Sequence, residues 1–395
     1  MNSLMEKFPP AGEDQVTLAN WRAAPFSAWA FSRVRELIPT ADIPNDPADI
    51  WELPSDLQDL SRLRIDANLD IDGYLDATFT DGFVVIHKGR IVAEEYRNAA
   101  GAHKPHILMS VSKSMLGALA GILADKGVLD TAAAVTQYLP EMKTTAWNGA
   151  SVQNVLDMRA GVGFDENYEA TSGAIIEYRK ATGWNPLEPG ETASDLRSFF
   201  QQVTDADGPH EDRFHYVSPN TDLMAWIIER AAGTRYADLM SKYLWQPMGA
   251  ETSAYITVDR LGAPRAAGGM CVTVRDLARV GLLVANGGKR DGVQVLPHGW
   301  VDDVVNNGDA DAWQRGDFAV YFPAGPFHYR NKWYVERGDS PMLFCVGIHG
   351  QNLYVVPGQE LVIAKMSARP SALDPDISQL NLKMVSALKQ HFAGG

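Results

Sequence analysis

Between Met115 and Leu123 apolar side chains fall on every side of a helical wheel, with Leu116, Ala118, Leu119, Ala120, Ile122 and Leu123 in one run. Such a pattern predicts a helix enclosed by protein. It stops at Lys126-Gly127, a basic last turn followed by a C-cap glycine. Upstream, the stretch from Phe83 to Tyr96 reads as two β runs around a Lys88-Gly89 turn, a hairpin. From about 130 to 250 the periodicity becomes helical, with long loops. Ser151 N-caps a short helix carrying Val152, Val155, Leu156 and Met158. A longer one covers about 219 to 232, with Leu223, Trp226, Ile227 and Ala231 on one face and Gly233 at its end. Thr273-Val274-Arg275-Asp276 resembles a capping box and opens a helix that runs to Asn286-Gly287-Gly288. Strands return at 351–356 and 361–366 around Pro357-Gly358-Gln359-Glu360, and a last helix carries Ile377, Leu380, Met384, Val385, Leu388 and Phe392.

Strands at both ends with helices between them predict an α+β fold, an antiparallel sheet closed by the two termini. The expected division is a sheet region from residues 1–130 and 251–395, with a mainly helical insertion over 131–250. Residues 1 to about 75 are weakly periodic, and Trp21, Trp29, Phe31, Trp51 and Leu53 are expected to tack this arm onto the body.

Composition narrows the function. A formal charge of -14 and the lack of a Lys/Arg-rich block argue against nucleic-acid binding. No apolar run approaches the roughly 18 residues that cross a bilayer, and Met1 to Pro10 lacks the apolar core of a leader. The two cysteines, Cys271 and Cys345, are too few for a disulfide framework and read as buried thiols. The expectation is a cytoplasmic protein with no membrane partner.

Chemistry enters with Met109-Ser110-Val111-Ser112-Lys113-Ser114, placed at the first turn of the buried helix. Residues i and i+3 share a helix face, so the Ser110 hydroxyl and the Lys113 amine can lie side by side. A serine needs a base beside it, and a lysine serves as one only when burial lowers its pKa. Alone, S-x-x-K is a weak signal. Two further segments strengthen it: Tyr216-Val217-Ser218-Pro219-Asn220-Thr221-Asp222 before the 219–232 helix, and Val346-Gly347-Ile348-His349-Gly350-Gln351 at the late strand. His210 and His215 stand one residue too far apart for a helical zinc pair, and no P-loop, dinucleotide fingerprint or G-x-S-x-G elbow occurs.

Serine with lysine, then tyrosine, then a glycine-bearing strand resembles the serine β-lactamase and penicillin-binding-protein family. Met109 to Ser114, Tyr216 to Asp222, Arg275 to Gly281 and Gly347 to Leu353 are similar within it to the nylon-oligomer (6-aminohexanoate-dimer) hydrolases, as is Trp29-Ala30-Phe31-Ser32-Arg33. The resemblance implies a β-lactamase-like fold and an acyl-enzyme mechanism without metal or cofactor. Ser110 would be acylated, Lys113 would take its proton, and Tyr216 would return a proton to the leaving group. The backbone N–H groups of Ser110 and Ile348 would hold the oxyanion. Tyr168 matches a tyrosine that closes over the substrate.

Three departures bear on the substrate. Ser218 stands where the family's class C branch has asparagine, and could orient Lys113 or a substrate carbonyl. Arg179 occupies the position at which the nylon-oligomer enzymes hold the substrate's ammonium end with an acid, and Ala267 replaces a polar residue. A cation there disfavours an ammonium, unless Arg179 faces solvent. A cationic Lys113 would favour the Tyr216 phenolate. His349 reads as a packed, hydrogen-bonding residue. The expected function is a serine hydrolase of small esters or short amides. The alternatives are an acyltransferase of the same fold and an inactive ligand-binding scaffold. The partner is a small molecule, with a homodimer left open.

Overall fold

The computed structural model describes residues 4–98, 101–320 and 325–393. Its centre is a seven-stranded antiparallel sheet: β1 Thr80–His87, β2 Arg90–Tyr96, β3 Phe327–Arg330, β4 Trp333–Glu336, β5 Met342–Gly347, β6 Gln351–Val356 and β7 Leu361–Ser367, in the spatial order β3-β4-β5-β6-β7-β1-β2. β1 pairs with β7 in register Val85↔Ile363, so an early and a late segment of the chain are neighbours inside the sheet. The α+β arrangement expected from the sequence is the one found.

Every residue of β1 is buried, because both faces of the sheet are covered. Val84 and Ile86 join Val362 and Ala364 on one face, against helix α4 (Val274–Ala285). Phe83 and Val85 join Leu361 and Ile363 on the other, against helix α5 (Pro375–Ala393) through Met384, Val385 and Leu388. The β1–β2 turn is made by Lys88 and Gly89, with φ of 50° and 74°. Two successive positive φ values match a turn whose twist suits a tight hairpin.

Helix α1 (Ser112–Asp125) is buried on nearly all sides between the sheet and the helical region. Gly117 lets it approach β3–β4 closely, since a Cβ there would lie 2.0 Å from the Asn331 carbonyl oxygen. Within 131–250 lie α2 (Ala174–Ala181) and α3 (Ser218–Ala232), the latter packed on α1. A smaller four-stranded sheet is ordered Thr40–Ile43, Ala254–Thr257, Met270–Val272 and His106–Ile107. Its last strand leads straight into the Ser110 segment.

One boundary differs from the expectation. Ser110 lies outside α1, in a separate 3-10 turn over Met109–Val111. Met109 has φ of 46°, a left-handed kink that turns the chain out of the small sheet before α1 can begin at Ser112. The N-terminal arm does pack on the body: Trp21 and Phe31 cluster with Met109, Trp184 and Tyr255, while Trp51 enters the main core.

Candidate active site

Ser110 and Lys113 face one another at the base of α1. The Lys113 Nζ lies 2.9 Å from the Ser110 Oγ and donates to the Ala267 carbonyl at 2.7 Å. Lys113 is 1% exposed, and this burial brings its amine down to about 7, a fall that Arg265 reinforces and the Glu166 and Asp222 carboxylates oppose. A neutral amine is therefore well populated at physiological pH.

Tyr216 closes the group. Its ring lies beneath the ammonium of Lys113, 4.9 Å from nitrogen to centroid, and stacks on Phe318. Its backbone N–H is held by Asp317 at 3.0 Å. Burial, and then the Glu166 charge, push the phenol well above its ordinary value, while hydrogen bonding with Ser110 and Tyr334 acts the other way. The phenolate expected from the sequence is thus disfavoured. Burial is the main cause, and the charge of Glu166 adds to it.

That carboxylate, Glu166, was passed over in the sequence. It accepts from the Ser218 N–H at 2.8 Å, from the Ser218 hydroxyl at 2.5 Å and from the Tyr168 hydroxyl at 3.2 Å. Ser218 therefore anchors Glu166 rather than orienting Lys113. Tyr168 is half-buried beside it, its phenol raised by burial and by the charge of Glu166. The only hint was acidic crowding in Asp165-Glu166-Asn167-Tyr168.

Asp222 is a second supporting acid. It accepts from the Ala267 N–H at 2.7 Å, from Tyr178 at 2.5 Å and from Arg265 at 2.6 Å. Ala267 in turn offers its carbonyl to Lys113, so this residue acts through its backbone. Ser112 and Ser114 are structural: Ser112 accepts from the Met270 N–H at 3.2 Å, and Ser114 donates to the Lys332 carbonyl at 2.7 Å.

Opposite Ser110, β5 ends at Gly347. A Cβ there would sit 2.7 Å from the Leu108 carbonyl oxygen and 3.1 Å from the Ser110 nitrogen, so only glycine lets the strand come so near the Ser110 amide. Ile348 follows directly. His349 has φ of 62°, gives its N–H to Ala372 and places its Nδ1 2.8 Å from the Arg369 carbonyl. Burial lowers it to about 4, which leaves the ring neutral and packed against Phe31.

Arg179 turns toward the Tyr168 loop, its Nη2 donating to the Tyr168 carbonyl at 3.0 Å, and it feels the charge of Glu166. The side chain is part-buried, neither enclosed nor fully turned to solvent. His210 and His215 are used separately, His210 accepting from the Gly161 N–H and His215 contacting Asp317 at 2.7 Å. Both cysteines are buried thiols, raised by desolvation. Among the described residues no helix is long and apolar enough to cross a membrane.

Ser110, Lys113 and Tyr216 thus lie together at one site. The chain belongs to the beta-lactamase family, whose model matches residues 71–383. It is 38% identical over 371 residues to a 6-aminohexanoate-dimer hydrolase of Paenarthrobacter ureafaciens, covering 94% of this chain and 92% of that one. A solved structure from Bacillus anthracis, provisionally named a 6-aminohexanoate-dimer hydrolase, superposes with a TM-score of 0.86 at 26% identity, over 96% of this chain and 98% of the other. A D-stereospecific amidohydrolase from Streptomyces shares the fold, with a TM-score of 0.58 at 16% identity, over 83% and 100% of the two chains. The protein is a serine hydrolase of this fold.

Proposed function

We propose that the chain hydrolyses small carboxylic esters and short linear amides through an acyl-enzyme on Ser110. The observation that carries this reading is the buried Lys113 amine, lowered to about 7 and 2.9 Å from the Ser110 Oγ. Neutral Lys113 takes the Ser110 proton as the oxygen attacks the substrate carbonyl. The N–H groups of Ser110 and Ile348 receive the developing oxyanion; such a donor is typically worth about 10² to 10³ in rate. Tyr216, a phenol that keeps its proton, gives it to the departing alkoxide or amine and is reprotonated from Lys113. Water then attacks the acyl-enzyme by the same path in reverse. The name of the Paenarthrobacter relative supports a linear amide among the substrates.

The test is hydrolysis of p-nitrophenyl butyrate by the wild type and by Ser110→Ala. The variant is expected to lose at least a thousandfold in kcat/KM with an unchanged melting temperature. Intact mass after a fluorophosphonate is expected to show one adduct on the wild type and none on the variant. Equal ester rates in the two proteins would overturn the assignment of Ser110.

A further inference from the structure

Directly behind Gly347 lies a buried polar side chain whose hydrogen bonds all go to backbone groups. It is Gln351, the first residue of β6, with no exposed surface. A Cβ on Gly347 would lie 3.0 Å from the Cβ of Gln351. Between the two runs the turn Ile348–Gly350, which begins with the second oxyanion donor. Its backbone is neither strand nor helix: His349 has φ of 62° and Gly350 of 96°. A left-handed non-glycine residue is unfavourable and persists only where its surroundings hold it.

Gln351 supplies part of that hold. Its Nε2 donates to the Ser367 carbonyl at 2.7 Å and reaches the Ile348 carbonyl at 3.4 Å. Its Oε1 accepts from the Ser367 N–H at 3.1 Å. The side-chain amide therefore pairs with Ser367 in both directions, as a peptide group of a neighbouring strand would. The β6–β7 ladder stops at Asn352↔Lys365, and the next step of that register would set Gly350 against Ser367. Gly350 still lies close, since a Cβ there would be 2.9 Å from the Ser367 Cβ, but its backbone has left the ladder. The glutamine amide stands in for it. Ser367 is buried, and its N–H and C=O stay paired while the chain is free to turn. On the far side the turn is tied to the same segment, His349 giving its N–H to Ala372 and accepting from the Arg369 N–H at 3.1 Å.

We propose that Gln351 is a positioning residue for the oxyanion site: by pairing with Ser367 it fixes the turn that aims the Ile348 N–H at the Ser110 side of the cleft. The inference rests on the hydrolase reading and adds a residue that acts through the backbone of Ile348. A donor of this kind is effective only when held in place before the charge develops.

A matched pair of substrates tests this, p-nitrophenyl butyrate and its O-(4-nitrophenyl) thionobutyrate. Both need Ser110, Lys113 and Tyr216, but the thiono sulfur is a poor hydrogen-bond acceptor and draws little from the oxyanion donors. The ratio of the two kcat/KM values, taken on one preparation, reads only folded enzyme. A general structural loss lowers both rates alike and cancels. Gln351→Met is expected to lower kcat/KM for the ester about 10²-fold and the ester-to-thionoester ratio about tenfold or more. Gln351→Asn, which keeps an amide one carbon short, should fall between this variant and the wild type. Asn381→Leu is the control. It cuts the link from Tyr74 to Asn352, the next residue of β6, and should lower the melting temperature with the ratio unchanged. A wild-type ratio in both Gln351 variants would overturn the assignment, as would an equal fall of the ratio in Asn381→Leu. Turnover of the oxygen ester that survives Ser110→Ala would instead sink the hydrolase reading itself, so the two failures are told apart.

Discussion

At neutral pH the Lys113 amine, brought down to about 7, is divided between its charged and neutral forms. Only the neutral form accepts the Ser110 proton, so kcat/KM should climb with pH through about 7 and fall about tenfold per unit below it. Glu166 raises Lys113 by its charge. Glu166→Gln should therefore move the acidic limb of the profile to lower pH, measured with an uncharged ester. An unmoved limb would mean that the limb belongs to another group. Gly347→Ala tests the other side of Ser110. The added carbon would crowd the Leu108 carbonyl and the Ser110 amide, and kcat is expected to fall roughly 10² to 10³ through the displaced oxyanion donors. At this scale Ser110, Lys113 and Tyr216 were legible because residue type and order carry them. Glu166, and the part Asp222 plays, were not. Their partners Ser218, Tyr168 and Ala267 lie up to 52 positions away, and only folding supplies such pairings.

Close approach of elements depends on missing side chains. Gly117 on α1 abuts the Asn331 carbonyl, and a methyl group there has no room. Gly117→Ala should lower the unfolding free energy by about 1 to 3 kcal/mol in urea titration, the usual cost of overpacking, and lower activity too because α1 carries Lys113. Wild-type stability in the variant would show that the contact relaxes freely. The long elements, α1, α4, α5 and the hairpins β1–β2 and β6–β7, were legible from periodicity and turn residues. β3 and β4, four residues each around Asn331 and Lys332, gave too short a pattern. The small four-stranded sheet was missed for the same reason. The 3-10 turn at Ser110 was invisible because methionine rarely takes the positive φ that Met109 adopts.

Over the whole molecule, pH acts through buried amines as well as surface charge. Lys365 lies in the sheet, donates to Ser367 Oγ at 2.6 Å, and is brought by burial to about 7, against 10.5 in the unfolded chain. Between those values the unfolded chain holds a proton that the folded one has released, so this group makes stability rise with pH from about 7 upward. Below about 7 the lysine is charged in both states and its penalty stays constant. Lys365→Met should flatten the melting temperature against pH between about 7 and 8.5; an equally steep curve would assign the rise to other groups.

β1 belongs to the first quarter of the chain and β7 to the last tenth, yet they are neighbours. During translation the first hairpin leaves the ribosome long before its mate exists. It must wait with an apolar flank bare and one edge open to any other extended segment. For this protein the hazardous interval is therefore the time between synthesis of the two strands, while that edge has no native partner.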